Sequence, residues 1–127
     1  MSFINNLFGN ASQITGSDAM QLIQDFVVDN EQVLTAYKLW RDMLIFTTER
    51  LILVDVQGLT GHKVSFQSIP YSSIKAYKME NAGSFDMDCE ISLVVQGFSL
   101  PVSLKFAKGT DLKPIYKYLS QFILRDN

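Results

Sequence analysis

Apolar positions in this chain follow a helical spacing for about the first thirty residues, alternate from Glu31 onward, and return to helical spacing after Phe106. Residues 2–8 set Phe3, Ile4, Leu7 and Phe8 on one face of a short helix, which Gly9-Asn10 ends. A second helix is predicted to begin near Ser17-Asp18, both good N-cap residues, with Ala19, Leu22, Ile23, Phe26 and Val27 as its apolar face. Alternation then predicts seven strands. They run from Val33 to Trp40, Met43 to Thr48, Leu51 to Gln57, Lys63 to Ile69, Ile74 to Glu80, Met87 to Val95 and Leu100 to Phe106. Turn residues separate them, among them Gly58-Leu-Thr-Gly61, Pro70-Tyr-Ser-Ser73 and Asn81-Ala-Gly-Ser84. Pro101 cannot donate to a ladder, so its strand is expected at an edge.

After the Ala107-Lys-Gly109 break, Thr110 or Asp111 can cap a last helix, and Pro114 falls in its first turn, where a missing N–H costs little. Leu112, Ile115, Tyr116, Leu119, Phe122 and Ile123 form one apolar stripe that must be buried. The expected architecture is mainly β with helices: a seven-stranded antiparallel barrel or sandwich capped by a C-terminal α-helix. The expected organisation is an N-terminal helical extension over 1–16 and one domain over 17–127.

Composition narrows the function classes. The chain has 127 residues, 47% hydrophobic and 19% charged, which supports a real core. A net charge of -2 argues against nucleic-acid binding, because no positive field is available to meet phosphates. Cys89 is the only cysteine, so no internal disulfide can form. The opening residues lack the basic and apolar regions of a signal peptide, and no apolar stretch reaches a membrane-spanning length of about 20 residues. A cytoplasmic location is expected.

Three stretches carry a family likeness: Phe46-Thr-Thr-Glu-Arg-Leu-Ile-Leu-Val-Asp55, Ser68-Ile-Pro-Tyr-Ser-Ser-Ile74 and Glu80-Asn-Ala-Gly-Ser-Phe-Asp-Met-Asp-Cys-Glu90. Together they resemble the stand-alone bacterial PH-like domains, which share the pleckstrin-homology superfold, over about residues 17–124. The resemblance implies a PH-like fold and self-assembly into ring-shaped homo-oligomers. Two departures qualify it. The last helix lacks the tryptophan usual in eukaryotic PH domains, and the only tryptophan is Trp40. The first β-turn offers Lys38 and Arg41, with Asp42 offsetting one of them, instead of a basic cluster. Phosphoinositide binding is therefore not carried over.

Candidate chemistry is sparse. Asp86, Asp88 and Glu90 point one way from a strand, with successive carboxylates ~7 Å apart at a rise of about 3.4 Å per residue. That suits a solvated face, paired with Lys75 or Lys78, or an intersubunit salt bridge, better than a metal enzyme. Gly58-Leu-Thr-Gly-His-Lys63 precedes a strand and lacks phosphate-loop spacing. His62, the only histidine, is expected in an exposed loop, and Cys89 as a buried inert thiol. Phe3, Ile4, Leu7 and Phe8 are expected to pack on their own domain or on a neighbouring subunit. An amphipathic membrane anchor is disfavoured because no Lys or Arg precedes Lys38.

The functional expectation is a non-enzymatic, self-associating interaction module with no cofactor and no metal. Its contacts would be Phe3, Ile4, Leu7, Phe8, Asp86, Asp88 and Glu90, and its ligand-facing turn Lys38 and Arg41. The alternatives are a peptide- or lipid-headgroup-binding domain and, behind these, a carboxylate-based metal enzyme.

Overall fold

The computed structural model describes residues 13–57, 63–81 and 89–125. Two compact units divide the chain at Ile69 and Pro70. The first holds β1 (Gln13–Ile14), α1 (Gly16–Ile23), β2 (Val33–Lys38), β3 (Asp42–Thr47), β4 (Arg50–Gln57) and all but the last residue of β5 (Lys63–Pro70). The second holds a 3-10 turn (Tyr71–Ser73), β6 (Ile74–Asn81), β7 (Cys89–Val95), β8 (Val102–Phe106) and α2 (Leu112–Ile123).

The strands of the first unit form one sheet in the order β1-β2-β3-β4-β5. All seven strands read from the alternation are present, and the two-residue β1 precedes them. β1 pairs antiparallel with β2, Gln13 opposite Tyr37 and Ile14 opposite Ala36, so the chain joins the sheet ahead of Ser17. Helix α1 starts one turn earlier than Ser17-Asp18 suggests. Thr15 is its N-cap, and its hydroxyl accepts from the Asp18 N–H at 3.2 Å. The helix also stops at Ile23, short of Phe26 and Val27. Ala19 and Ile23 are fully buried against Ala36, Met43, Ile45, Ile52 and Val54. Phe26 lies past the helix end because its carbonyl serves Arg50 instead.

β3 is the centre of this sheet. Met43 and Ile45, opposite Val54 and Ile52, join the cluster with α1. Leu44 and Phe46 point the other way and are also buried. The first hairpin differs from its expected boundaries. Trp40 is not a strand residue, and Asp42 is not part of the break. The turn is Leu39-Trp40-Arg41, closed by the Leu39 N–H donating to the Asp42 carbonyl at 2.8 Å. Asp42 opens β3.

In the second unit β7 lies between β6 and β8. Its alternation is complete: Cys89, Ile91, Leu93 and Val95 are buried, and the residues between them are not. β8 begins at Val102, so Pro101 precedes the strand, and among the described residues β8 lies at the edge of its sheet. Asp111 caps α2, accepting from the Lys113 N–H at 3.2 Å. Leu112, Ile115 and Leu119 form its buried stripe, packed on β6, β7 and the 3-10 turn. Full burial of each such side chain contributes about 1.5–3 kcal/mol. Phe122 stacks on Tyr71 with ring centroids 4.6 Å apart. The Tyr77 hydroxyl, on β6, reaches Ser120 on α2 at 2.8 Å.

Candidate functional site

Three features of the first unit carry polar chemistry or exposed surface. The first is the β2–β3 turn. Lys38 ends β2 opposite Met43, and Arg41 is exposed one residue before β3. Between them stands Trp40, 65% exposed. Short hairpin geometry leaves no room to bury an indole at this point, so the turn displays it. At the foot of the turn Asp42 faces Asp55 across β3 and β4. Burial of Asp42, with the neighbouring charge and hydrogen bond of Asp55, raises its carboxyl from an ordinary 3.8 to about 6, and Arg41 opposes this.

The second feature is a charged knot at the opposite end of β3 and β4. Glu31 is one of two buried polar residues among those described, and Thr47 is the other. The Glu31 carboxylate accepts four hydrogen bonds. Oε1 takes the Val28 N–H at 3.0 Å and Arg50 Nη2 at 2.8 Å. Oε2 takes the Thr47 hydroxyl at 2.6 Å and Arg50 Nε at 2.9 Å. Arg50 also donates to the Ser68 hydroxyl at 3.0 Å and the Phe26 carbonyl at 3.2 Å. The hydrogen bond from Arg50, with lesser help from Thr47 and Val28, outweighs burial and lowers Glu31 to about 2. A carboxylate held ionised and saturated by four donors has no capacity to act as a general base near neutrality. Its work is mechanical: it fastens the α1–β2 connection, the β3–β4 turn and β5 together.

The third feature is β5. Six of its eight residues are exposed, including Ser65 and Gln67 on one face and Phe66 and Ser68 on the other. Among the described residues its only sheet neighbour is β4. Lys63 and Pro70 stand at its ends, and no charge lies between them. On the Phe66 face, the ring meets Phe26 edge-on at 5.1 Å, and Phe26 lies under the Arg50 guanidinium at 5.7 Å.

The residues singled out in the sequence separate accordingly. Lys38 and Arg41 share the first turn. Glu90, on β7, faces Glu80 on β6 and Lys105 on β8 and accepts from the Ser103 hydroxyl. Its cross-strand cation is thus Lys105, whereas Lys78 pairs with Glu80 at 3.3 Å and Lys75 donates to the Ser72 carbonyl. Cys89 is buried, and its thiol donates to the Thr110 carbonyl at 3.4 Å. Phe3, Ile4, Leu7, Phe8, His62, Asp86 and Asp88 lie outside the described residues, as do most of the Gly58-to-Lys63 turn and the helix read over residues 2–8. Among the described residues no group of three His, Cys, Asp or Glu could hold a metal ion. No described helix is long and apolar enough to cross a membrane.

Sequence reasoning missed the Glu31–Arg50 knot and the Asp42–Asp55 pair. The signal for the first was weak: one glutamate just before an alternating segment, and one arginine between a polar turn and an apolar run nineteen residues later. The signal for the second was available, because the tight turn between β3 and β4 that sets Phe46 against Leu51 also sets Asp42 against Asp55 once β3 is extended by one residue.

Comparison with known proteins agrees with this layout. The chain is 44% identical over 121 residues to the uncharacterised protein YjqA of Bacillus subtilis, covering 94% of this chain and 97% of YjqA. It is 32% identical over 107 residues to YozO, also uncharacterised and from the same organism, covering 84% and 90% of the two chains. Two crystal structures are similar. A DUF1696 family protein with a pleckstrin-homology domain from Shewanella loihica superposes with a TM-score of 0.79 at 43% identity, over 91% of this chain and 98% of that one. A pleckstrin-homology domain from Shewanella amazonensis gives 0.77 at 40% identity, over 87% and 100%. The fold, two antiparallel sheets with an N-terminal and a C-terminal helix, is that of a pleckstrin-homology domain. The bacterial PH domain profile matches residues 2–123, and the chain belongs to that family.

Proposed function

We propose that this domain is a non-enzymatic interaction module that self-associates, into a ring, through the edge of β5. The observation that carries the reading is the exposure of six of the eight β5 residues, on both faces, in a strand whose only sheet neighbour among the described residues is β4. Natural edge strands are usually short, or interrupted by inward or central charges. This one is long and uncharged from Val64 to Ile69. Strand addition to such an edge satisfies its backbone groups and takes Phe66 out of water. A contact between β5 of one copy and a different surface of the next is heterologous, and heterologous contacts close into rings when the rotation allows. The family resemblance points to the same kind of assembly. The saturated state of Glu31 and the buried state of Cys89 support a role without catalysis.

Light scattering coupled to size exclusion tests this at micromolar concentration. The chain should elute at a multiple of its 14.4 kDa mass, and the Ser65→Lys/Gln67→Lys variant, which adds charge to exposed positions of the edge, should elute as a monomer. A monomeric unmodified chain removes the self-association. An oligomeric variant removes β5 as the contact. A bound extended peptide on the same edge is the second reading, favoured by the same strand, and it predicts a monomer whose β5 amides become protected only when peptide is added.

A further inference from the structure

Asp42 does two jobs at one point of the chain. Its carbonyl accepts from the Leu39 N–H at 2.8 Å and closes the β2–β3 turn. Asp42 is half-buried and stands directly opposite Asp55 on β4, whose neighbouring carboxyl adds to the effect of burial in favouring the protonated form of Asp42. A carboxylate has no donor, so two carboxyl groups drawn together across a strand pair can join only through a proton. When both ionise, like charges stand directly opposite across two strands, which pushes a sheet pair apart. The turn above this point carries Trp40 and Arg41, both exposed.

We propose that Asp42 and Asp55 form a proton-operated latch, closed when they share a proton and loosened when both ionise, that governs how firmly the Trp40–Arg41 turn is held. Four charged residues near Asp42 are described. Arg41 in the turn opposes retention of the proton, and Asp55 on β4 favours it. Lys38 ends β2 opposite Met43, one pair beyond Asp42, and Lys63 opens β5, the strand next to β4. His62 lies outside the described residues. Burial is the largest influence on Asp42, and the balance places its titration at about 6. The latch therefore works in mildly acidic solution, below the pH at which the turn loosens.

Carboxyl-carbon NMR and amide hydrogen exchange on the full chain decide the matter. The Asp42 carboxyl should titrate near 6. The protection of the Leu39 amide, corrected for the intrinsic rise of exchange with pH, should fall by about threefold between pH 5 and 7.5, the size expected for one cross-strand charge pair. In Asp55→Asn the Asp42 titration should move down from about 6 while burial still holds it above its ordinary value, and the pH dependence of Leu39 protection should weaken. Asp42→Asn, as a second variant, should show pH-independent protection. The latch is overturned if the Asp42 carboxyl of the unmodified chain titrates below about 4.5. It is equally overturned if Leu39 protection keeps its full pH dependence in either asparagine variant.

Discussion

Glu31→Gln removes one charge from the knot at the base of β3 and β4 while keeping the shape of the side chain. Each carboxylate oxygen of Glu31 accepts one hydrogen bond from Arg50 and one from a second donor, Val28 N–H for Oε1 and the Thr47 hydroxyl for Oε2. An amide offers one oxygen and one NH2. Whichever way it turns, the NH2 meets an Arg50 donor. Thr47 can redirect its hydroxyl to the Arg50 carbonyl at 3.1 Å, but the guanidinium cannot reverse its polarity. At least one charge-assisted hydrogen bond is lost, worth about 1.5–3 kcal/mol. Arg50, its side chain only 20% exposed, is also left without its counter-charge. Breaking one partner of a buried ion pair costs about 3–5 kcal/mol in total. For a domain of this size that lowers Tm by roughly 10–15 °C. Urea unfolding followed by far-UV circular dichroism should show a reduced midpoint at unchanged slope. The pH dependence has a definite sign. Glu31 is lowered from 4.5 to about 2, so its contribution is full above the unfolded value and fades as pH falls from 4.5 toward 2. The gap between the two proteins should be widest at neutral pH and should close in acid. A loss under about 1 kcal/mol at pH 7, or a gap that does not narrow in acid, would refute the assignment of Glu31 as an ionised, buried clasp.

Asp42 acts in the opposite sense. Its folded value of about 6 lies above the ordinary 3.8, so the folded chain holds the extra proton between those limits and stability falls as pH rises through them. The full shift is worth ~3 kcal/mol for a buried group, and solvent screening of this partly exposed one leaves about 1 kcal/mol. Asp42→Asn should raise the urea midpoint at pH 8 and leave it nearly unchanged at pH 4, and a loss at pH 8 would contradict this. Gly97 turns the chain between β7 and β8 at φ 90°, and an added Cβ would meet nothing within 4 Å. Gly97→Ala should cost about 1 kcal/mol through backbone strain alone, visible as a lower melting temperature with unchanged secondary structure, and an unaltered Tm would show that the turn relaxes freely. Tyr77→Phe deletes the 2.8 Å hydrogen bond that ties β6 to Ser120 of α2, at about 1 kcal/mol, and should raise amide exchange in α2 more than in β3.

Alternation made most of the fold legible. Cys89, Ile91, Leu93 and Val95 are read from the sequence and buried in the structure, and the stripe Leu112, Ile115, Leu119 identifies α2 and its packed face. The errors lie where polar contacts override periodicity. Phe26 has the spacing of a helical core residue, yet its carbonyl and ring are engaged by Arg50, and the helix ends three residues earlier. Trp40 has strand-like chemistry, but the Leu39–Asp42 hydrogen bond makes it a turn residue. The site was less legible for a related reason. Glu31 and Arg50 each read as an ordinary surface charge, and only the sheet brings them within 2.8 Å. The place of β5 at the end of the described strand order depends on which strands neighbour which, and alternation alone does not state that.

The burial of β3 on both faces has a consequence for how the sheet finds its alignment. From Met43 to Thr47 every residue is buried. A strand with a polar face cannot slip by one position without exposing its apolar set, but Met43-Leu-Ile-Phe46 offers apolar side chains either way. Hydrophobic matching therefore says little about which residue of β4 each should meet. The two ends supply that information. A slip by one would set Asp55 against Met43 instead of Asp42, and would draw Arg50 away from Thr47 and the Glu31 carboxylate at the other end. The two polar clusters thus act as alignment marks on an otherwise unmarked strand, and their removal should show first as misregistered, slowly interconverting chains during refolding.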